Sequence, residues 1–408
     1  MLLNFRNFII EEAEPQGKAL KHLRHLEDNV LYDGHPGVER AANFLDDAHS
    51  ALQGKNSSTR FSTKWDGAPS IVYGRHPQNG KFFVASKSAF NRNPKINFTP
   101  EDIEKNHGHA PGLVEKLKAA LEHLPKVMPK NARPGSVYQG DMLYTKGDVS
   151  KKNGMHHFTP NTITYSTPED SREADLIKHA KMGFVTHTKY SKGSDLGQMS
   201  AEPLDKKDLA SFQNHPDVHH IDPSIEINPA NYTPEEQREF LQHRDAATRL
   251  YKRMKPEAFD VLPKYGQAME SHVNDMIRKN GVPSREGFLD YLQNRHNKDL
   301  EKVTTDASKD KRRQAHAAMM QDLYDQGDHL KNVIDLHGHL QRAKNVLTRV
   351  MAKNNGWGHS IGGEGTSPEG VVAVNKNGDM TKFVNRDEFA RQNFLKGAFQ
   401  KQQAQVAE

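Results

Sequence analysis

Arg60-Phe61-Ser62-Thr63-Lys64-Trp65-Asp66-Gly67-Ala68-Pro69-Ser70 decides the reading of this 408-residue chain. Phe61, Thr63 and Trp65 alternate with polar neighbours, the two-residue period of a strand. Asp66-Gly67 and Pro69 then punctuate a turn. Lys64 therefore stands where a strand meets a turn, and Gly67 lets the backbone approach a ligand closely. Beyond it Ser70-Ile71-Val72-Tyr73-Gly74 runs extended, His76-Pro77-Gln78-Asn79-Gly80 turns, and Lys81–Lys87 returns as a strand, which predicts a β-hairpin.

Further out, Lys18–Asp28 and Val38–Ala48 carry apolar residues at helical spacing, with a turn at Asp33-Gly34-His35-Pro36-Gly37. Leu113–Leu124 reads as an amphipathic helix. Gly135–Tyr144, Ile163–Tyr165 and Met182–Thr188 read as strands. After Tyr190 the composition shifts to Lys, Asp, Gln, His and Ala, with prolines at the joints. Thr233-Pro234-Glu235-Glu236 reads as a helix N-cap, an N1 proline and an acidic first turn. Helical periodicity follows through 244–254, 265–279, 285–295 and 311–353. Gly370–Val374 and Asp379–Val384, joined by Asn375-Lys376-Asn377-Gly378, predict a second hairpin, and a helix over 387–403 follows.

Composition narrows the chemistry. There is no cysteine, which removes disulfides, thiolate catalysis and Cys-ligated metals and makes a cytoplasmic setting the default. The 23 histidines are scattered without an H-E-x-x-H pair and read mainly as surface or core residues. No apolar run of about 18 residues predicts a membrane span, and the apolar run at the start is too short for a signal peptide. A formal net charge of +5 suits a polyanionic partner.

Lys64-Trp65-Asp66-Gly67 matches K-x-D-G, and three companions follow in order: Gly140-Asp141 on a strand, Glu369-Gly370-Val371-Val372 and Met380-Thr381-Lys382-Phe383-Val384. The set resembles the covalent nucleotidyltransferases: DNA ligases, RNA ligases and mRNA capping enzymes. The likeness covers roughly residues 56–190 and 365–385. It implies an α+β protein, with a nucleotidyltransferase (ligase adenylation) core of antiparallel sheets and helices plus a large helical insert. Its division would be an N-terminal helical segment (1–55), the first part of the core (56–194), the insert (195–352), and the second part of the core with a C-terminal helix (353–408).

The resemblance also implies roles. Lys64 would attack the α-phosphorus of ATP and keep AMP as a phosphoramide. A protonated lysine cannot attack, so its site must favour the free amine. Asp141 would lie near the ribose and phosphates, Glu369 would hold Mg2+, and Lys382 would touch the α-phosphate. Thr63, Asp66 and Gly67 would line the nucleotide. Lys87, on the second strand of the first hairpin, would meet ribose or nucleic-acid phosphate. Phe158, ahead of Tyr165, would stack on the base.

Some positions depart from the pattern. The fifth motif often has two lysines two apart, whereas Met380 and Val384 flank Lys382 here. Ser62 stands where many DNA ligases have an acid. Only 26 residues follow Lys382, too few for the OB-fold and sixth motif of DNA ligases and capping enzymes. The implied function is an ATP-dependent polynucleotide ligase with nucleic acid as partner, RNA ahead of DNA. The alternatives are a DNA ligase lacking the OB-fold, AMP transfer to a non-polynucleotide acceptor, and an inactive core that binds nucleic acid. The chain is also similar to proteins of large tailed phages, which implies the host cytoplasm. In the insert, Lys309-Asp310-Lys311-Arg312-Arg313 reads as a solvated helix face or a phosphate contact. Gly356–Gly363 reads as a connector or as a backbone that approaches phosphate.

Overall fold

Each of two units is assembled from separate stretches of the chain. The computed structural model describes residues 23–255, 258–354 and 356–387. Along the chain come α1 (Asn29–Leu52), β1 (Arg60–Lys64), β2 (Ser70–Arg75), β3 (Phe82–Ala85), α2 (Pro100–His107) and α3 (Pro111–His123). Then follow β4 (Val137–Thr145), β5 (Ser150–Lys152), β6 (Met155–Phe158), β7 (Thr164–Pro168), α4 (Arg172–His179), β8 (Met182–Ser191), β9 (Ser200–Pro203), α5 (Lys206–Ser211) and β10 (Val218–Ile221). The remainder is α6 (Pro234–Arg253), α7 (Ala258–Arg278), α8 (Arg285–Glu301), α9 (Asp306–Asp325), α10 (Asp328–Ala352), β11 (Gly358–Ile361), β12 (Glu364–Gly365), β13 (Gly370–Val374) and β14 (Met380–Phe383). The protein mixes helices with largely antiparallel sheets.

The first unit, the helical one, holds Leu23–Lys64, Ser224–Gly356 and the chain from Ser367. Its long helix α10 buries Val333, Leu336, Leu340, Ala343, Leu347 and Val350, a stripe at three- and four-residue spacing. They join one hydrophobic core with Val38, Leu45 and Phe44 of α1 and Phe240 of α6. α6 starts as its sequence predicts, with a Thr233–Glu236 capping box and Pro234 in the first turn. The turn expected at 33–37 is a kink inside α1, where Gly34 takes φ 56°. Against this core lies a three-stranded antiparallel sheet in the order β1-β13-β14. Phe61, Val371, Ala373 and Phe383 belong to the same core, so one sheet face is buried on the helices.

The second unit, the sheet unit, holds Trp65–Pro223 and Trp357–Thr366 among the described residues. One sheet runs β10-β8-β4-β2-β3, with β9 also on β8. Helix α3 and the six-residue α5 help cover it through Leu117, Ala120 and Leu209, against Ile71, Met142 and Phe184. The second sheet runs β12-β11-β7-β6-β5. The β2–β3 and β13–β14 hairpins form as expected.

The domain boundaries differ from the sequence reading. Residues 200–221, expected at the head of a helical insert, contain β9 and β10, both on β8. Their four-residue strands, one of them Val-His-His-Ile, are too short and polar to show a period. The strands β1, β13 and β14, expected within one nucleotidyltransferase core, pack on the helices instead. The expected helix over 18–28 is described only from 23, and there Leu26–Asp28 form a single 3-10 turn. The helix expected over 387–403 lies, but for its first residue, outside the described residues.

Candidate functional site

Strand period places the site residues of the helical unit. Across the sheet Ser62 pairs with Val372, and Val372 with Lys382, while Lys64 pairs with Gly370. Residues paired directly or two apart share a face. Ser62, Lys64, Val372 and Lys382 therefore stand on one face, opposite the face sunk in the helical core. Glu369 immediately precedes β13, beside the end of β1, and the Lys64 ammonium donates to its carboxylate. Lys64 is about a third exposed at its side chain, and Glu369 11%. Thr63, expected among the nucleotide contacts, pairs with Val371 on the opposite face. A residue adjacent in a strand points the other way, so Thr63 does not share the face of Lys64.

Lys382 is partly buried, and its proton affinity is lowered. Desolvation is the largest cause, followed by the charges of Lys64 and Arg386, while Asp28 and Glu369 oppose the shift. Its backbone N–H donates to the Arg24 carbonyl at 3.2 Å. In the same unit lies a buried charge network that sequence reading missed. Arg386, 3% exposed, donates to both oxygens of Asp28 at 2.9 and 3.0 Å. His337 bonds the same carboxylate at 3.0 Å. Burial works to raise the Asp28 pKa, but His337 and Arg386 outweigh it and hold the group at about 2. Lys344 donates to both oxygens of Glu27 at 2.8 and 2.9 Å, and neither residue is exposed to solvent. The partners stand more than 300 positions apart, so no local pattern announces them.

In the sheet unit, the remainder of the K-x-D-G stretch is built into the fold. Asp66 is 5% exposed. Its carboxylate accepts from Asn161 Nδ2 at 2.8 Å, Thr162 N–H at 2.7 Å and Ile163 N–H at 2.9 Å. Its own N–H donates to the Tyr165 hydroxyl at 2.8 Å. Asp66, expected among the nucleotide contacts, thus caps the connection from β6 to β7. Gly67 passes so near β4 that a Cβ there would lie 2.5 Å from the Cβ of Asp141. Only glycine permits that approach. Two further bonds, Ala68 N–H to Met142 O at 3.0 Å and Met142 N–H to Pro69 O at 3.1 Å, hold the segment to β4.

Asp141 faces His187, with Nε2 3.6 Å from its carboxylate. Phe158 is 1% exposed and is packed by Tyr144, Tyr165 and Trp357 at centroid distances of 4.8, 5.5 and 5.6 Å. Tyr165 is fully buried. Both rings are buried, and Phe158, expected to stack on a base, packs here on Tyr144, Tyr165 and Trp357. Lys87 is exposed but not on a strand: β3 ends at Ala85, and Lys87 opens a short 3-10 turn capped by Ser86. Within the glycine-rich stretch, Gly358 to Ile361 form β11 on β7, and a Cβ at Gly358 would lie 2.4 Å from Ser166 Oγ.

The structure therefore brings together Lys64, Glu369 and Lys382 in one unit, and Asp66, Gly67 and Asp141 in the other. Among the described residues no group of three or more His, Asp or Glu side chains is arranged to hold a metal, and no helix is long and apolar enough to cross a membrane. A family model described as a family of unknown function (DUF6267) matches residues 20–397. No curated protein and no solved structure matches the chain.

Proposed function

The chain belongs to this family of unknown function (DUF6267), and we propose that it is an ATP-dependent polynucleotide ligase that works through a covalent Lys64–nucleotide intermediate. The observation that carries the reading is that Lys64 and Lys382 share one sheet face and that Lys64 touches Glu369 at the strand's end, three residues drawn from three separate motifs. In the first step Lys64 Nζ attacks the α-phosphorus of the nucleotide. A P–N bond forms, the bond to the bridging oxygen breaks, and pyrophosphate leaves. The amine must first lose its proton, which the ion pair with Glu369 opposes until that carboxylate turns to Mg2+. Lys382 supplies positive charge on the same face, of the kind that stabilises a phosphoryl transition state. A lone carboxylate suits Mg2+, which takes one or two carboxylates and fills its shell with water and substrate phosphates. Glu369 would hold that ion, whose charge would neutralise the leaving pyrophosphate. Lys64 would then pass the nucleotide to a polynucleotide 5′-phosphate, RNA ahead of DNA, and a 3′-hydroxyl would displace it.

A second reading is an inactive core that only binds nucleic acid. It is favoured by Phe158 and Tyr165, which are buried where the resemblance wants a base platform. One experiment separates the two. The full chain is incubated with Mg2+ and α-labelled ATP or GTP, beside Lys64→Ala. Label on the parent and none on the variant supports the ligase reading. An unlabelled parent, or a labelled variant, removes it.

A further inference from the structure

Helices α8 and α9 pair as a helical hairpin, yet little of them is core. The buried residues of α8 are Phe288, Leu289 and Leu292, all in its first half. The buried residue of α9 is Leu323, near its end. Met319 and Met320 of α9 also pack partly against the core, and nearer the connection between the helices the contacts are polar. Arg312 Nη1 donates to the Asp299 carbonyl at 3.2 Å, His316 Nε2 bonds Gln293 Oε1 at 3.0 Å, and the His296 and His316 rings stack at 3.9 Å.

The sequence of this stretch is strongly basic. Between residues 295 and 313 it has seven cations, Arg295, Lys298, Lys302, Lys309, Lys311, Arg312 and Arg313, against four acids, and so carries +3 of the chain's +5. Two acids are already engaged: Asp299 with Lys302 at 3.0 Å and Asp310 with Arg313 at 2.9 Å. Arg295, Lys298 and Lys311 are exposed, Lys309 partly so, and these four form no ion pair among the described residues. Arg295 and Lys298 of α8 and Lys302, the residue that caps its end, follow i, i+3, i+7 spacing and line one stripe. The stripe is about 10 Å long, a length over which one strand of B-DNA carries about three phosphates.

We propose that the basic ends of α8 and α9 are a nucleic-acid backbone-binding surface, sequence-independent and separate from the Lys64 chemistry. The choice of nucleic acid as partner rests on the ligase reading and on charge complementarity. A membrane surface fits less well, because a helix lying in an interface inserts apolar side chains. The exposed large apolar residues described in this unit, Leu241, Val282 and Tyr324, lie outside the basic stretch.

The test uses the full chain and a variant carrying Arg295→Gln, Lys298→Gln, Lys309→Gln and Lys311→Gln. Its control, with the same change of charge, carries Lys105→Gln, Lys130→Gln, Lys206→Gln and Lys207→Gln. Binding of mixed-sequence single-stranded RNA and of duplex DNA is followed by fluorescence anisotropy against salt. Each phosphate contact contributes about −0.7 (single strand) to −0.9 (B-DNA) to the slope of log K on log salt. The hairpin variant should bind at least tenfold more weakly with a slope shallower by about two to four, while the control matches the parent. Which polymer binds tighter identifies the source of the phosphates. The proposal is overturned if the hairpin variant matches the parent, if the control loses as much, or if the parent binds anionic vesicles and neither polymer. Lys64 labelling is scored separately, so an unlabelled protein that still binds through the hairpin leaves this surface standing while the ligase reading falls.

Discussion

At the scale of single residues, Lys64, Glu369 and Asp66 separate chemistry from architecture. Lys64 stands on a sheet face that the core does not use and touches Glu369 at the strand's end. Replacing Glu369 with Gln, or Lys382 with Ala, should therefore spare the fold. Each should slow self-labelling by roughly tenfold or more, the usual cost of one charge-stabilising contact. Near-normal labelling rates in both would break the link between this face and the reaction. Asp66 is the opposite case. Asp66→Ala removes an acceptor from three donors, two of them backbone N–H groups of Thr162 and Ile163. Buried donors left without partners cost about 1–3 kcal/mol each. The urea midpoint of Asp66→Ala should fall by an amount equivalent to at least about 2 kcal/mol. An unchanged midpoint would contradict the capping role. The face assignment of Thr63 was open to the sequence, because alternation puts it opposite Lys64. The buried bonds of Asp66 were not, since their partners lie 95 or more positions away.

Single elements show the same division between local and distant information. The β2–β3 hairpin was legible because Asn79-Gly80 separates two apolar runs, and Gly80 does adopt φ 69°. The β5–β6 hairpin carries an equally good signal, Asn153-Gly154 with φ 53° and 72°, and was passed over because its strands are short and polar. Strand β10 is short and polar too, and its parallel pairing to β8 buries histidines. His219 bonds the Tyr144 hydroxyl at 2.9 Å and His220 bonds Thr186 Oγ1 at 2.8 Å. Burial, helped by His220 and Arg172, pushes His219 down to about 4. Burial also pushes His220 down to about 4, opposed by Asp222. The folded chain thus refuses protons that the unfolded chain binds below about pH 6.5. Stability from this element is complete above about pH 6.5 and declines as pH falls toward about 4. Urea midpoints near pH 7.5, 5.5 and 4.5 should decrease in that order, and His219→Gln with His220→Gln should flatten part of the decline. A midpoint equal at the highest and lowest of these pH values would contradict the burial argument.

On the scale of the whole molecule, the ordered motifs sort into two units, with the chain leaving one and entering the other between Lys64 and Trp65. The class of protein was legible, mixed helices with antiparallel sheets, because its hairpins and long helices carry their periods openly. The grouping was not. β1, β13 and β14 join the helices through alternate residues such as Phe61, Val371 and Phe383, and that partnership is set by long-range packing. The central claim is that this grouping serves one reaction at Lys64. It is tested most directly by incubating the full chain with ATP or GTP and Mg2+ and mapping the covalent adduct by peptide mass spectrometry. One nucleoside monophosphate should be found, attached to Lys64 and absent from Lys64→Ala. A chain that gains no nucleotide, or gains it at another residue such as Lys382, would contradict it.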